Sequence, residues 1–180
     1  MAETMIQRLF DRPRALGALL AFASAAMLAG AFYFQHFEGL QPCPLCIAQR
    51  WAHAASLVLC LIAAFGASER LAPGLLTMVG LAFLAGAGIA GYHVGVEQHW
   101  IESSFCGATD LVGETVEDLK ALLWETEIAR CDEVAWSLAG SSMAGYNLII
   151  SLVLAAGALI AALDDRIAPA VLVSNEVGLG

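Results

Sequence analysis

Four long apolar stretches, each with at most one charged residue, constrain this chain more than any other feature of its sequence. A helix needs about 20 mostly apolar residues to cross the hydrocarbon core of a bilayer, which is about 30 Å thick. The stretches that meet this requirement cover residues 15–37, 47–66, 73–96 and 143–163. They leave residues 38–46 and 97–142 as loops on one side of the membrane. The sequence therefore predicts an all-α fold, a single transmembrane four-helix bundle over residues 1–180.

The composition argues against other classes of protein. Hydrophobic side chains make up 59% of the 180 residues and charged side chains 14%, compared with about half and about a quarter in soluble domains. This apolar richness is the opposite of the composition of disordered chains. The formal net charge of -9 disfavours a nucleic-acid surface, because such a surface needs clustered cations to contact phosphates. We therefore expect a protein that lies in a lipid bilayer and binds no nucleic acid.

The positions of Lys and Arg near the ends of the spans predict the orientation, because loops on the cytoplasmic side carry an excess of these residues. Five cations fall on the side that holds both termini: Arg8, Arg12, Arg14, Arg70 and Arg166. Three fall on the opposite side: Arg50, Lys120 and Arg130. Both termini are therefore expected in the cytoplasm, and the loops 38–46 and 97–142 on the extracytoplasmic side.

Four of the five cysteines lie outside the predicted spans, all on the extracytoplasmic side. Cys43 and Cys46 form a Cys-Pro-Leu-Cys motif in the first loop, and Cys106 and Cys131 lie in the second. We interpret these four as two redox-active pairs, with three pairings open to four cysteines. The fifth, Cys60, is expected to be an inert core residue of span two. A zinc site with four thiolates is disfavoured because its signature is two Cys-x-x-Cys motifs and this chain has one.

The Cys-Pro-Leu-Cys motif lies next to charged and titratable side chains. Cys46 stands at the predicted start of span two, where unpaired backbone N–H groups and the helix dipole favour an anion. Arg50 and His53 follow at positions i+4 and i+7 of the same helix face. We therefore expect a stabilised thiolate, a permanent cation and an imidazole to meet near the membrane boundary. The alternatives are a position at the lipid headgroups for Arg50 and helix packing for His53.

A second polar cluster lies near the end of span three. It contains Tyr92, His93, Glu97, Gln98 and His99. This end of span three is on the same side of the membrane as Cys46, so the cluster is a candidate lining of the same site, with packing between helices as the alternative. Between Cys106 and Cys131, residues 115–128 show the periodicity of a short amphipathic helix on the membrane surface.

Together these motifs resemble the DsbB family of quinone-dependent, disulfide-generating membrane proteins. The matching features are four spans with cytoplasmic termini, the run Cys43-Pro44-Leu45-Cys46-Ile47 followed by Arg50, the loop cysteines Cys106 and Cys131, and the run Cys131-Asp132-Glu133 that leads through Trp136 to span four. They extend over nearly the whole chain. The sequence departs from the family at the start of span four, which reads Met143-Ala144-Gly145-Tyr146-Asn147 where many members have Pro and Trp.

The resemblance implies a multi-pass protein of the bacterial inner membrane with its active site on the periplasmic side. In such a protein Cys106 and Cys131 form the disulfide that exchanges with a periplasmic, DsbA-like thioredoxin-fold oxidase. Cys43 and Cys46 form the pair that passes electrons to ubiquinone or menaquinone, with Cys46 facing the quinone.

Quinone contacts are expected from Arg50, His53, His93 and Gln98, and no metal is required. Two alternatives to this function stay open at this point. One is a DsbI-like paralogue that serves one dedicated client, and the other is a non-catalytic four-span scaffold whose loop disulfides are structural.

Overall fold

The computed structural model describes residues 13–66, 68, 71–103 and 129–163. Its four long helices are α1 (Pro13–His36), α2 (Pro44–Leu61), α3 (Ala72–Glu97) and α4 (Met143–Leu163). A π-helical segment, Ile62–Gly66, continues α2. All four are long and apolar enough to cross a membrane, which confirms the predicted all-α, four-span fold.

Several sequence predictions fall on parts of the chain outside the described residues. They concern Cys106, the amphipathic helix at 115–128, and five of the cations used for the orientation, namely Arg8, Arg12, Arg70, Lys120 and Arg166. These predictions stay predictions.

Helix α2 begins three residues before the predicted span, and the reason is local. Cys43 is the N-cap residue, with an extended backbone, and Pro44 occupies the first helical position. Proline is favoured there because its fixed φ suits a helix and its missing N–H would have had no partner. The early start places Cys46 in the first turn of α2, where its backbone N–H donates to the Sγ of Cys43 at 3.2 Å.

The helices pack in two pairs, α1 with α2 and α3 with α4, and α2 also packs along α3. The interior of the bundle is filled by small and medium apolar side chains: Leu16, Leu20, Cys60, Leu76, Val79, Phe83, Ala155 and Ala158. Cys60 is fully buried in this cluster, as expected for a core residue. Gly17 allows α1 to approach the π-helical segment closely, since a Cβ atom there would lie 2.9 Å from the backbone nitrogen of Ala64.

The outer surface of the bundle is apolar. Phe22 is 73% exposed, Phe65 80% and Val153 65%. Large apolar side chains on the outside are unfavourable in water but are the expected surface of a helix bundle in lipid.

A short β-hairpin precedes α4. Strand β1 (Ser137–Leu138) pairs antiparallel with β2 (Ser141–Ser142). The two residues between the strands, Ala139 and Gly140, both have positive φ, at 48° and 82°, which is the backbone of a type I′ turn. The hairpin brings the chain from Cys131 back to the start of α4.

Candidate active site

A cavity of about 400 Å³ opens at the end of the bundle where α1 ends and α2 begins. This volume lies within the range of pockets that hold small organic ligands. One wall comes from small and apolar residues of α1, and the other from polar residues of α2, α3 and α4. The residues that line it include Ala26, Met27, Gly30, Ala31, Phe34, Cys43, Cys46, Gln49, Arg50, His53, His93, Glu97, Arg130, Glu133, Trp136, Leu138, Tyr146 and Asn147.

Cys43 and Cys46 lie at the polar side of this cavity as free thiols. The S–H of Cys43 donates to the Sγ of Cys46, with the two sulfur atoms 2.9 Å apart. Cys43 is buried and Cys46 is partly exposed. The hydrogen bond to Cys46, together with burial, raises the pKa of Cys43 far above that of an ordinary thiol. Cys43 therefore holds its proton, while Cys46 presents its sulfur to the cavity.

The cysteine of the second loop lies beside this pair. Cys131 is fully buried and belongs to the same apolar cluster as Cys43, Leu45 and Val96, against which Cys46 also packs. It is disulfide-bonded. The arrangement brings Cys131 and the Cys-Pro-Leu-Cys motif into one buried cluster, although Cys46 and Cys131 are 85 positions apart in the sequence.

Arg50 crosses from α2 to α1. One Nη donates to the side-chain oxygen of Gln35, and the other donates to the backbone carbonyl of Ala31 at 3.1 Å. The guanidinium also lies over the Phe32 ring, 5.2 Å from its centroid, a cation–π distance. Arg50 is thus held at the cavity wall by α1, and it forms no described hydrogen bond to Cys46.

Buried polar side chains form a connected network behind the cysteine pair. His93 Nε2 lies 3.7 Å from the Sγ of Cys43, and His93 Nδ1 lies 2.8 Å from Gln49 Nε2. Asn147 connects Gln49 to His53, because its side chain hydrogen-bonds to Gln49 at 2.5 Å and to His53 at 2.7 Å. The His93 ring also hydrogen-bonds to the backbone of Cys131. Residues of α2, α3, α4 and the second loop are therefore coupled at this site.

A carboxylate completes the polar end. Glu97 Oε1 lies 3.9 Å from His93 Nε2, and its other oxygen accepts a hydrogen bond from Ser142 at 2.5 Å. Ser142 in turn accepts from the backbone N–H of Gly145 at 3.1 Å. This ties the end of α3 to the first turn of α4.

The segment between Cys131 and α4 covers the cavity. The ring of Trp136 packs against Phe34 of α1, with centroids 5.1 Å apart, and against Tyr146 of α4 at 6.4 Å. The hydroxyl of Tyr146 donates to the backbone carbonyl of Leu138 at 2.9 Å. These contacts position the hairpin against both walls.

An exposed ion cluster lies at the mouth of the cavity. Arg130 contacts Asp132 through two hydrogen bonds, at 3.0 and 2.6 Å, and Glu133 at 3.4 Å. Through these bonds the guanidinium lowers the pKa of Asp132, and the two carboxylates raise the pKa of Arg130. Arg130 and Glu133 both line the cavity.

Most of the predicted site residues within the described ranges meet at this cavity. Its lining includes Cys43, Cys46, Arg50, His53 and His93. The helical phase at the end of α3 turns Glu97 inward, whereas Gln98 is exposed at the C-cap and does not line the cavity. The structure therefore gives no support to the expectation that Gln98 contacts a quinone.

Gln35, Gln49 and Asn147 hydrogen-bond within this site but were not among the site residues expected from the sequence. Gln49 precedes Arg50 within the motif itself, and Asn147 is a polar residue one turn into a span that is otherwise strongly apolar. Polar residues inside a span are costly unless they are paired and are therefore frequently functional. That signal was present in the sequence.

Three potential metal ligands also lie together. One donor atom each from Cys43, Cys46 and His93 falls within 4.8 Å of the others. This set differs from the four-thiolate site weighed from the sequence, because it combines one cysteine pair with a histidine.

Comparison with known proteins identifies the family. The sequence profile of the family described as "Disulfide bond formation protein DsbB" matches residues 13–161. The chain belongs to the DsbB family. Family membership and the four spanning helices together make it a multi-pass membrane protein of disulfide bond formation, with oxidoreductase activity.

Relatives named "Disulfide bond formation protein B" align over most or part of the chain. The protein of Polaromonas naphthalenivorans (strain CJ2) is 34% identical over 86% of this chain and 94% of its own length. That of Stutzerimonas stutzeri (strain A1501) is 30% identical over 76% of this chain and 86% of its own length. That of Herminiimonas arsenicoxydans is 45% identical over 44% of this chain and half of its own length. No solved structure matches the chain.

Proposed function

We propose that this protein oxidises the dithiol of a periplasmic, DsbA-like thioredoxin-fold protein and passes the electrons through two cysteine pairs to ubiquinone or menaquinone. The observation that carries the proposal is the placement of the Cys43 and Cys46 thiols at the wall of a cavity with an apolar α1 side, next to buried Cys131. The site lies at the periplasmic face of the inner membrane, with both termini in the cytoplasm.

The first step is thiol–disulfide exchange at the Cys106–Cys131 pair. A thiolate of the reduced partner attacks this disulfide and forms a mixed disulfide, and the second partner thiol then releases the partner in its oxidised form. Two electrons and two protons remain on Cys106 and Cys131. The same exchange reaction transfers them to the Cys43–Cys46 disulfide, and the burial of Cys131 against Cys43 supports this transfer.

The second step reoxidises the Cys43–Cys46 pair. The Sγ atoms are 2.9 Å apart, so a displacement of under about 1 Å brings them to the bonding distance of about 2.05 Å. Cys46 is the more exposed of the two and is assigned the role of facing the acceptor. A quinone accepts the two electrons and two protons and leaves as quinol into the bilayer. Cys43 retains its proton until the disulfide forms, and His93 is the nearest described imidazole.

The cavity fits a quinone by its chemistry. Its α1 wall, which includes Ala26, Met27 and Gly30, is apolar and suits a ring and an isoprenoid tail. At the polar end, Arg50 uses two of the five N–H donors of a guanidinium on α1, which leaves three donors for carbonyl oxygens. We assign the quinone contacts to Arg50, Cys46 and His93, and a supporting role to His53.

The scaffold alternative is less well supported. A structural disulfide requires neither a cavity beside it nor a polar network behind it, and this chain has both. The DsbI-like alternative differs in the partner and not in the chemistry of the site.

The test is an anaerobic assay with purified protein in detergent, a soluble ubiquinone or menaquinone analogue, and a reduced DsbA-like protein. Quinone loss is followed by absorbance for the wild type, for Cys46→Ser and for the core control Cys60→Ser. We expect turnover in the wild type and in Cys60→Ser, and none in Cys46→Ser. If the quinone stays oxidised with every thioredoxin-fold partner while the loop disulfides resist reduction, the scaffold is the better description.

A further inference from the structure

A series of hydrogen bonds runs through the interior of the bundle and ends at the cysteine pair. It starts at Ser24 of α1, whose hydroxyl lies 3.3 Å from His53 Nδ1. It continues through Asn147 and Gln49 to His93, and from His93 through Cys43 to Cys46. Every member except Cys46 is buried. Its side chains come from all four helices, with Cys43 at the N-cap of α2.

The two amides fix the direction of this series. Asn147 Nδ2 donates to Gln49 Oε1, so Gln49 has only its NH₂ group to offer to His93 Nδ1. An NH₂ group is a donor, and His93 Nδ1 is therefore an acceptor without a proton. At the other side, Asn147 Oδ1 accepts from His53 Nε2 at 2.7 Å and from Ser151 at 3.1 Å.

His93 must then carry its proton on Nε2 when it is neutral. The surroundings of Nε2 hold acceptors, Cys43 Sγ at 3.7 Å and the Glu97 carboxylate at 3.9 Å. The ring also hydrogen-bonds to the backbone of Cys131, and with Nδ1 as an acceptor its proton for this bond is the one on Nε2. The donors from His53 to Cys43 thus point the same way, towards the sulfur of Cys46, while the Ser24 hydroxyl donates to the backbone carbonyl of His53 at 3.3 Å. Hydrogen bonds in such a series polarise one another, most strongly in a buried and poorly solvated interior.

We propose that Gln49 and Asn147 are positioning residues that hold the proton of His93 on Nε2, so that the ring donates towards the cysteine pair and does not bind metal. Neither residue needs to touch the reacting sulfur atoms. Asn147 acts through Gln49, and Gln49 acts through His93. The importance of this for turnover rests on the proposed function, whereas the position of the proton does not.

The consequence for metals follows from the ligand set. Reduced Cys43 and Cys46 together with an unprotonated Nε2 of His93 would offer two sulfurs and one nitrogen to a thiophilic ion such as Zn²⁺. The 3.7 Å between Cys43 Sγ and His93 Nε2 is close to the spacing of two ligands on one tetrahedral zinc ion. A proton held on Nε2 blocks the nitrogen, which protects the pair in its reduced state.

Glu in place of Gln49 is the sharpest variant, because it changes one atom and reverses the hydrogen bond. A carboxylate at this position accepts from His93 Nδ1, which moves the proton to Nδ1 and leaves Nε2 free. Carboxylate–histidine pairs of this kind favour zinc binding, and their loss typically changes metal affinity about 10- to 100-fold. Asn147→Leu breaks the series one step further away, and Ser56→Ala is the matched control. Ser56 is also buried, but among the described residues its hydroxyl bonds to the backbone carbonyl of Ala52 in its own helix and to no member of the series.

The experiment uses the full chain in detergent, reduced and metal-free, with ¹⁵N-labelled histidine. Two-bond ¹H–¹⁵N correlation spectra report which ring nitrogen of His93 carries the proton, and the His93→Gln variant assigns the signal. We expect the Nε2–H form in the wild type and in Ser56→Ala, a mixture of both forms in Asn147→Leu, and the Nδ1–H form in Gln49→Glu. A competition titration with Zn²⁺ should show at least about tenfold tighter binding to Gln49→Glu than to the wild type.

An Nδ1–H signal in the wild type overturns the proposal without any variant, as do unchanged spectra and zinc affinity in a folded Gln49→Glu protein. Neither readout uses a quinone or a partner protein. If the proton lies on Nε2 and no quinone is ever reduced, the proposed function fails and the positioning role stands. If quinone turnover is normal and the spectra are unchanged, the positioning role fails alone.

Discussion

Substitution of Arg50 by Lys gives the sharpest prediction for quinone binding. Within the described ranges the guanidinium uses two of its five N–H donors on Gln35 and the Ala31 carbonyl, which leaves three donors for an acceptor in the cavity. A lysine ammonium has only three donors and lacks the planar fork that joins two partners at once. It cannot keep both contacts to α1 and still serve a quinone carbonyl with good geometry.

Hydrogen bonds that involve a charged group are worth about 1.5–3 kcal/mol. Loss of one such bond in the complex corresponds to about a 10- to 150-fold weaker interaction, since 1.4 kcal/mol is a factor of ten. We therefore expect the KM for quinone of Arg50→Lys to rise by this factor. The rate of disulfide exchange between the partner and the protein should stay close to that of the wild type, because Arg50 is assigned no role in that step.

The assay measures initial rates of quinone reduction over a range of quinone concentrations, and stopped-flow fluorescence of the partner reports the exchange step separately. Arg14→Lys is the control, because Arg14 is exposed at the opposite end of α1. An unchanged KM in a folded Arg50→Lys protein would refute the assignment of Arg50 as a quinone contact.

Three further predictions concern the cavity, the helix packing and the thiols. Gly30 lines the cavity, and no atom of the described residues lies within 4 Å of the position of a Cβ there. Gly30→Leu should therefore fill part of the cavity and raise the KM for quinone at least about tenfold, whereas Gly88→Leu on the exposed face of α3 should leave it unchanged. Equal kinetics of the two variants would contradict the assigned quinone site. Gly17→Ala places a methyl group 2.9 Å from the Ala64 backbone and should lower the free energy of unfolding by about 1–3 kcal/mol through overpacking, partly offset by about 1 kcal/mol of helix propensity. Its Tm in detergent should be lower than that of Gly30→Ala, and the reverse order would show that α1 can move away. The raised pKa of Cys43 predicts that iodoacetamide at pH 7.5 labels Cys46 before Cys43 in the reduced protein, as read by peptide mass spectrometry. Because the pKa of Cys43 is higher in the folded than in the unfolded state, the free energy of unfolding should be constant below the ordinary thiol pKa of about 8.5 and should fall as the pH rises above that value. Urea unfolding of the reduced protein should show this fall, and Cys43→Ser should abolish it.

The four spans were predictable because hydropathy depends on composition alone. The expected fourth span, 143–163, coincides with α4, and the ends of the other three expected spans lie within three residues of the ends of the observed helices. The largest difference, at the start of α2, arose because the motif was treated as a loop although Pro44 is well suited to the first position of a helix. The hairpin before α4 was not predicted, since two-residue strands around Ala139 and Gly140 lack the Asn-Gly signal of a type I′ turn.

The site was predictable only where one helix carries it. Cys46, Arg50 and His53 lie on one face of α2, and the face follows from helical periodicity. The contact between Gln49 and Asn147 joins residues 98 positions apart, and no local pattern reports such a contact. The difference between Glu97 and Gln98 depends on the phase of the last turn of α3, which sequence periodicity leaves uncertain by about one residue.

The measurement that tests the central claim most directly is a single turnover without any partner protein. Reduced, metal-free protein is mixed anaerobically with one equivalent of quinone, and both the quinol formed and the thiols lost are counted, with the thiols located by alkylation and mass spectrometry. The account predicts one quinol per protein and the loss of the two thiols of Cys43 and Cys46. Quinol formation with these thiols intact, or the oxidation of other cysteines in their place, would contradict it.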